Sequence, residues 1–308
     1  MIESLRIVGT QVFILFILIS LGYFGGKIKM ITENGVKSIN EIMLYFVTPC
    51  VIINAFQREY DPLLLHNLLF SILASIISHA VCYLVGFALV RDKDEATRKV
   101  KRFAIAYSNC GFMGLPLIDA LVGSEGVFYG AGYLMVFNIL TWSYGQYTMG
   151  KSQGGFNLKK AFLNHGVIAS VIGFIFFITS FKLPVLIIEP IKYLSALNTP
   201  LPMLIIGYTI SSFALKENLN IKEEIVPIIS RLIICPLIIL GIYYAIGIRG
   251  TLLISSMIAV CAPVAAITAM FSIKYDGNVR LASKLVAVSS LFSIITMTLI
   301  VGFARFIS

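Results

Sequence analysis

The sequence predicts an all-α polytopic membrane protein of ten transmembrane helices, an inverted five-plus-five repeat in which helices four and nine are broken and cross. Three observations predict it. The 308 residues are 58% hydrophobic and only 13% charged, with a mean hydropathy of +0.92, whereas soluble domains carry roughly 25% charged residues. Apolar stretches long enough to cross a bilayer recur ten times along the chain. Helix-breaking residues sit inside these stretches at matching places in the two halves.

The first span, 7–24, follows Met1-Ile2-Glu3-Ser4-Leu5-Arg6, a poor basic region, and no small-x-small cleavage site follows it, so it reads as a true span rather than a signal peptide. Span two, 39–56, carries Thr48-Pro49, and span three, 66–90, carries His79 at mid-length. Span four, 102–121, contains Ser108-Asn109-Cys110-Gly111-Phe112-Met113-Gly114-Leu115-Pro116. Its two glycines weaken a helix, and its proline removes a donor and clashes with the preceding turn. In hydrocarbon such a break is tolerated only where the backbone is buried in protein or lines a watery cavity. Span five, 127–149, includes Asn138, Trp142, Tyr144 and Gln146.

The hydrophilic stretch beginning at Gly150 makes residues 150–161 a linker between a first repeat, 1–149, and a second, 162–308. Spans six to ten follow at 162–181, 187–213, 225–247, 251–272 and 281–304. Five spans per half force opposite orientations. Thr48-Pro49 in span two and Thr199-Pro200 in span seven are 151 residues apart, and Pro116 in span four and Pro263 in span nine are 147 apart. This is the weak internal symmetry of inverted-repeat transporters, whose broken helices meet near the midplane. A half-helix N-terminus there carries about +0.5 charge and free N–H donors, suited to a carboxylate.

The net charge of +9 is a topology signal and not a nucleic-acid footprint. One set of alternate loops carries sixteen basic residues: Lys27, Lys29, Lys37, Arg91, Lys93, Arg98, Lys99, Lys101, Arg102, Lys151, Lys159, Lys160, Lys216, Lys222, Lys274 and Arg280. The other set, with both termini, carries six: Arg6, Arg58, Lys182, Lys192, Arg249 and Arg305. The richer set is expected in the cytoplasm, which puts both termini outside the cell membrane. The five cysteines are scattered through apolar segments without metal-ligand spacing, so no metal or cofactor is expected. HExxH, a nucleotide-binding glycine loop and a recognisable Ser/His/Asp set are absent, which argues against an embedded enzyme. Glu41, Asp119, Glu125 and Glu189 lie near span ends, so the carboxylates mark no sodium site.

Asn109 through Leu117, followed by Gly123, Tyr133 and Asn138-Ile139-Leu140-Thr141-Trp142-Ser143-Tyr144-Gly145, resembles the auxin efflux carrier family. Ala262-Pro263-Val264-Ala265, Lys274-Tyr275 and Leu281-Ala282-Ser283 fit the same pattern. The resemblance covers essentially the whole chain. It implies a fold related to bile-acid sodium symporters, with spans four and nine crossing beside the substrate, spans one, two, six and seven as a scaffold, and a homodimer formed through that scaffold. Plant PIN-type members export the auxin anion, and bacterial relatives are associated with malate and malonate. The long cytosolic loop of plant members is reduced here to about ten residues, and the asparagine of their span-nine crossover is replaced by Val260-Cys261-Ala262-Pro263.

The residues expected to bind substrate are Asn109, Cys110, Gly111, Pro116, Ala262 and Pro263 at the crossover, with Thr48, Thr199 and Asn138 lining it. Asn109 either donates its amide to a carboxylate or satisfies backbone groups freed by the break, and the threonines either line the cavity or bond back to their own helices. Pro116 and Pro263 are expected to create the breaks. His79 is expected to pack neutral between helices, and Arg231 either draws anions into a vestibule or anchors span eight at the cytoplasmic side. The expected function is alternating-access transport of a small organic anion, with export favoured by an inside-negative potential. Rival readings are a sodium- or proton-coupled importer and a receptor or scaffold that binds ligand without moving it.

Overall fold

Apolar side chains on the outside, and hydroxyl groups buried within an apolar core, set the architecture of the computed structural model, which describes residues 2–150, 163, 165–212 and 221–308. Phe13, Leu84 and Leu186 are 66%, 69% and 89% exposed, whereas Ser71, Ser75, Ser78 and His79 are buried. An apolar exterior with its hydroxyls buried suits a hydrocarbon solvent, in which polar groups must be satisfied internally.

The chain forms helices α1 (Ile2–Lys27), α2 (Glu33–Phe56), α3 (Pro62–Leu89), α4 (Glu95–Ala106), α5 (Cys110–Met149), α6 (His165–Ile178), α7 (Val185–Ala196), α8 (Pro200–Ser212), α9 (Glu224–Ala245), α10 (Gly250–Cys261), α11 (Ile267–Lys274) and α12 (Val279–Ile307). Six helical stretches, α1 from Arg6 onward, α2, α3, α5, α9 and α12, are long and apolar enough to cross a membrane, and α6 and α10 are shorter apolar helices. Asp94 caps α4 by accepting from Thr97 N at 2.8 Å, and the hydrogen bonds from Thr97 hold its carboxyl below the usual carboxylate range.

Three predicted spans are built differently. The span expected at 102–121 consists of α4, an extended break at Tyr107–Asn109 and the start of α5. Pro116 therefore does not make this break but lies beyond it, inside α5. There the helix absorbs the proline through a π turn, Cys110–Gly114, which opens the register around the missing N–H. The same device, a π turn two residues before a proline, recurs as Met43–Val47 before Pro49 and Ser230–Ile234 before Pro236. The span expected at 187–213 is divided into α7 and α8 by a turn containing Thr199, and that at 251–272 into α10 and α11. Between the expected fourth and fifth spans, α5 kinks at Gly123, whose φ of 73° lies in the left-handed region open to glycine. Of the expected linker at 150–161, only Gly150 is among the described residues.

α3 packs on α5 through small residues. Ser71 and Ser75 donate to Tyr129 O at 2.6 Å and Tyr133 O at 3.0 Å, and Ser78 meets the Tyr133 hydroxyl at 2.8 Å. Small polar residues let helices approach closely while their hydroxyls stay bonded. His79 sits on this face with Nδ1 2.7 Å from Ser75 O and the rings of Tyr107, Tyr133 and Phe137 around it, the packed arrangement expected of it.

The connections gather into two groups. In one, Lys99 Nζ donates to Tyr275 O at 3.0 Å and Asn278 Nδ2 to Thr97 Oγ1 at 3.1 Å. In the other, Arg58 donates to Ser124 Oγ at 2.7 Å, Tyr60 N to Ser180 Oγ at 2.9 Å and Leu183 N to Gln57 Oε1 at 2.9 Å. α3 runs between the groups, and its 28 residues span roughly 40 Å at 1.5 Å per residue.

Candidate functional site at the helix breaks

Two broken helices meet at their breaks. Tyr107–Asn109 and the segment between α10 and α11 run antiparallel as a short bridge pairing Ser108 with Val264. Asn109 N donates to Pro263 O at 2.7 Å, and Ala265 N donates to Tyr107 O at 3.0 Å. Each break thus supplies the partners the other has lost, which answers the accounting problem of irregular backbone inside a membrane. A third element completes it: Val264 N donates to Ser289 Oγ of α12 at 3.1 Å.

The ends of the half-helices divide by sign. The N-terminal end of α5 begins at Asn109, whose carbonyl accepts from Met113 N at 3.0 Å and Gly114 N at 3.1 Å. The first-turn N–H groups there have no helical carbonyl to bond. The Asn109 side chain does not cap the helix, and its buried Nδ2 has no hydrogen-bond partner. Its amide is thus a donor without an acceptor, beside a half-helix end of positive sign, an arrangement suited to a carboxylate oxygen.

The C-terminal ends of α4 and α10 hold the opposite charge, and both face Arg231. This arginine is 1% exposed, so it is neither a vestibule charge nor an interfacial anchor. Its Nη1 donates to Ile105 O at 2.9 Å and approaches Cys82 Sγ at 3.6 Å, and its Nη2 donates to Val260 O. Ser289 is a residue of the crossover that sequence reasoning missed, although a serine pair, Ser289-Ser290, near the middle of an apolar helix marked it; Arg231 was singled out in the sequence, but as a vestibule charge or a surface anchor.

Of the residues expected at the site, Asn109, Cys110, Ala262 and Pro263 come together, all buried, with Gly111 half-buried beside them and 3.4 Å from Leu134 at its Cβ position. Pro116 is buried farther along α5. Thr48 follows the π turn of α2, Thr199 precedes α8, and Asn138 lies in α5 just before a second π turn, Thr141–Gly145; all three are half-buried. The Cys110–Gly114 turn packs against α8, so the helix following Thr199 flanks the crossover.

A cavity of about 290 Å³ lies on the side of the basic loops, lined by Tyr83, Arg98, Lys99, Arg102, Phe103 and Tyr144 among others. The Tyr83 hydroxyl at its wall is hydrogen-bonded to that of Tyr107, the first residue of the span-four break, which also donates to Leu140 O at 2.9 Å. A basic and aromatic chamber is therefore joined through one tyrosine pair to the crossover. Among the described residues no group of three or more His, Cys, Asp or Glu side chains is arranged to hold a metal.

The sequence model of the family described as membrane transport protein matches residues 7–158 and 152–301. The chain belongs to this family, that of the auxin efflux carriers. It is a transporter and not an enzyme. Relatives include a protein of Methanothermobacter thermautotrophicus described as an uncharacterized transporter, 26% identical over 291 residues, which cover 92% of this chain and 94% of the relative. A second, from Methanocaldococcus jannaschii and described in the same words, is 25% identical over 301 residues covering 94% and 96% of the two chains.

Proposed function

We propose that the protein is a secondary carrier of a small organic anion, a carboxylate of the malate, malonate or auxin-like class, that works by alternating access at the crossover and favours export from the cell. The observation that carries this reading is the unpartnered, buried Asn109 amide at the N-terminal end of α5, next to backbone already bonded across to Pro263. A buried donor left unpaired costs about 1–3 kcal/mol, a cost that a bound carboxylate removes. The basic cavity behind Tyr83 supplies an approach for the same charge.

The architecture of this reading is ten spans in two inverted halves, with α4 and the start of α5 as span four and α10 with α11 as span nine. Support comes from the interruption of both at their breaks, and from the matched prolines of the second pair, Pro49 after the π turn of the continuous α2 and Pro200 at the break between α7 and α8. The two groups of loop contacts fit the alternate loops of high and low basic charge, and in this reading the loops rich in basic residues face the cytoplasm and the termini lie outside. An inside-negative potential contributes about 2.3 kcal/mol per charge per 100 mV, roughly fifty-fold in concentration ratio, in the direction of anion exit.

Asn109→Ala tests the site. Carboxylate flux in proteoliposomes is expected to fall about tenfold to hundredfold, the loss of one hydrogen bond to a charged group. Thermal stability is expected to hold, because in the resting protein the amide nitrogen has no bond to lose. Unchanged flux removes Asn109 from the site.

A further inference from the structure

In an unbroken helix Ile105 O accepts from the N–H of residue 109 and Val260 O from that of residue 264. Here Asn109 N goes to Pro263 O, and Val264 N goes to Ser289 Oγ. The two breaks therefore free these two carbonyls, one on each half-helix, and the Arg231 guanidinium takes both. A helix C-terminus carries about −0.5 charge, so two of them amount to roughly one negative charge, which one guanidinium balances. Arg231 is charged in any protein setting, and the partners of its guanidinium are carbonyls and a thiol.

Carbonyl ends of discontinuous helices are the usual place for a coupling sodium ion or proton in secondary transporters. We infer that Arg231 is a tethered substitute for such a cation: it occupies the meeting point of the α4 and α10 carbonyl ends, so the carrier moves its anion without a coupling cation. This rests on reading the crossover as the transport site. The sign pattern is then complete within the chain, with a fixed positive group at the two C-terminal ends and an unpartnered donor, Asn109, at the N-terminal end of α5. Arg231 is a positioning residue in this scheme. It neutralises and joins the half-helices across the break and does not touch the substrate.

The test uses the full chain in two assays: melting temperature in detergent, and malonate flux in proteoliposomes, each in choline, sodium or millimolar guanidinium salts. The wild type is expected to respond to none of the three cations. Arg231→Ser vacates the position; it is expected to melt lower, to regain stability with guanidinium or sodium, and to show flux that rises about tenfold with the added cation. A sodium requirement in the wild type overturns the inference, as does an Arg231→Ser protein with native melting and cation-indifferent flux. If Arg231→Ser does not fold, Arg231→Lys decides: it keeps a tethered charge, so cation-indifferent flux supports the inference and sodium-dependent flux overturns it. The melting assay needs no substrate, so failure of every carboxylate to move counts against the proposed function alone and leaves the cation result standing.

Discussion

At the scale of the residue, the crossover depends on side chains that complete backbone rather than on a polar pocket. Ser289 shows this most simply, since it is the acceptor for Val264 N in the break of span nine and is itself fully buried. Ser289→Ala leaves that N–H without a partner, which costs about 1–3 kcal/mol. A lower melting temperature is therefore expected, with reduced flux in proportion to the loss of folded protein. A melting curve like that of the wild type would mean that the break is held by the bridge to Tyr107 and Asn109 alone. Asn109 was legible in the sequence because an amide set beside glycines in an apolar stretch must find a polar partner to offset its burial, and the break supplies the place for one. Arg231 was not: position along a span suggested the membrane surface, and only the π turn Ser230–Ile234 and the packing of α9 turn the side chain toward two carbonyls distant in sequence.

At the scale of the element, prolines and glycines were legible as interruptions, but what the chain makes of each was not. Pro49, Pro116 and Pro236 were absorbed by π turns that leave their helices continuous, whereas Pro263 and Pro200 stand at true breaks, because the local chain does not record whether a second segment is present to bond the freed groups. The glycines of α1 have a similar lesson. Gly22 and Gly26, near the end of α1, are where α1 presses against α8. A Cβ added at Gly22 would overlap Leu204 O, and one added at Gly207 would overlap Ile19 O. Small residues spaced by four are how membrane helices bring backbones together. Gly207→Val is expected to separate α1 from α8, with a large fall in the yield of monodisperse protein. Gly241→Ala in α9, where an added Cβ meets nothing within 4 Å, is expected to be silent. Equal yields from the two variants would remove the close α1–α8 contact from the account.

At the scale of the whole molecule, hydropathy gave the positions of nearly every helix, and charge gave the grouping of the loops, because both are summed over many residues and survive local errors. The meeting of the breaks was legible only as an expectation of symmetry, since contacts between Tyr107–Asn109 and Pro263–Ala265 join segments far apart in sequence. Together these features describe a carrier whose charges are built in: donors at one half-helix end, a tethered guanidinium at two others and a basic chamber on the side of the richer loops. On the proposed reading such a protein moves net charge with each anion. The most direct measurement is charge movement in proteoliposomes on addition of malonate, malate or indole acetate, with and without a sodium or proton gradient. The account predicts a carboxylate-dependent current that neither gradient alters. A current that appears only under a cation gradient would contradict it.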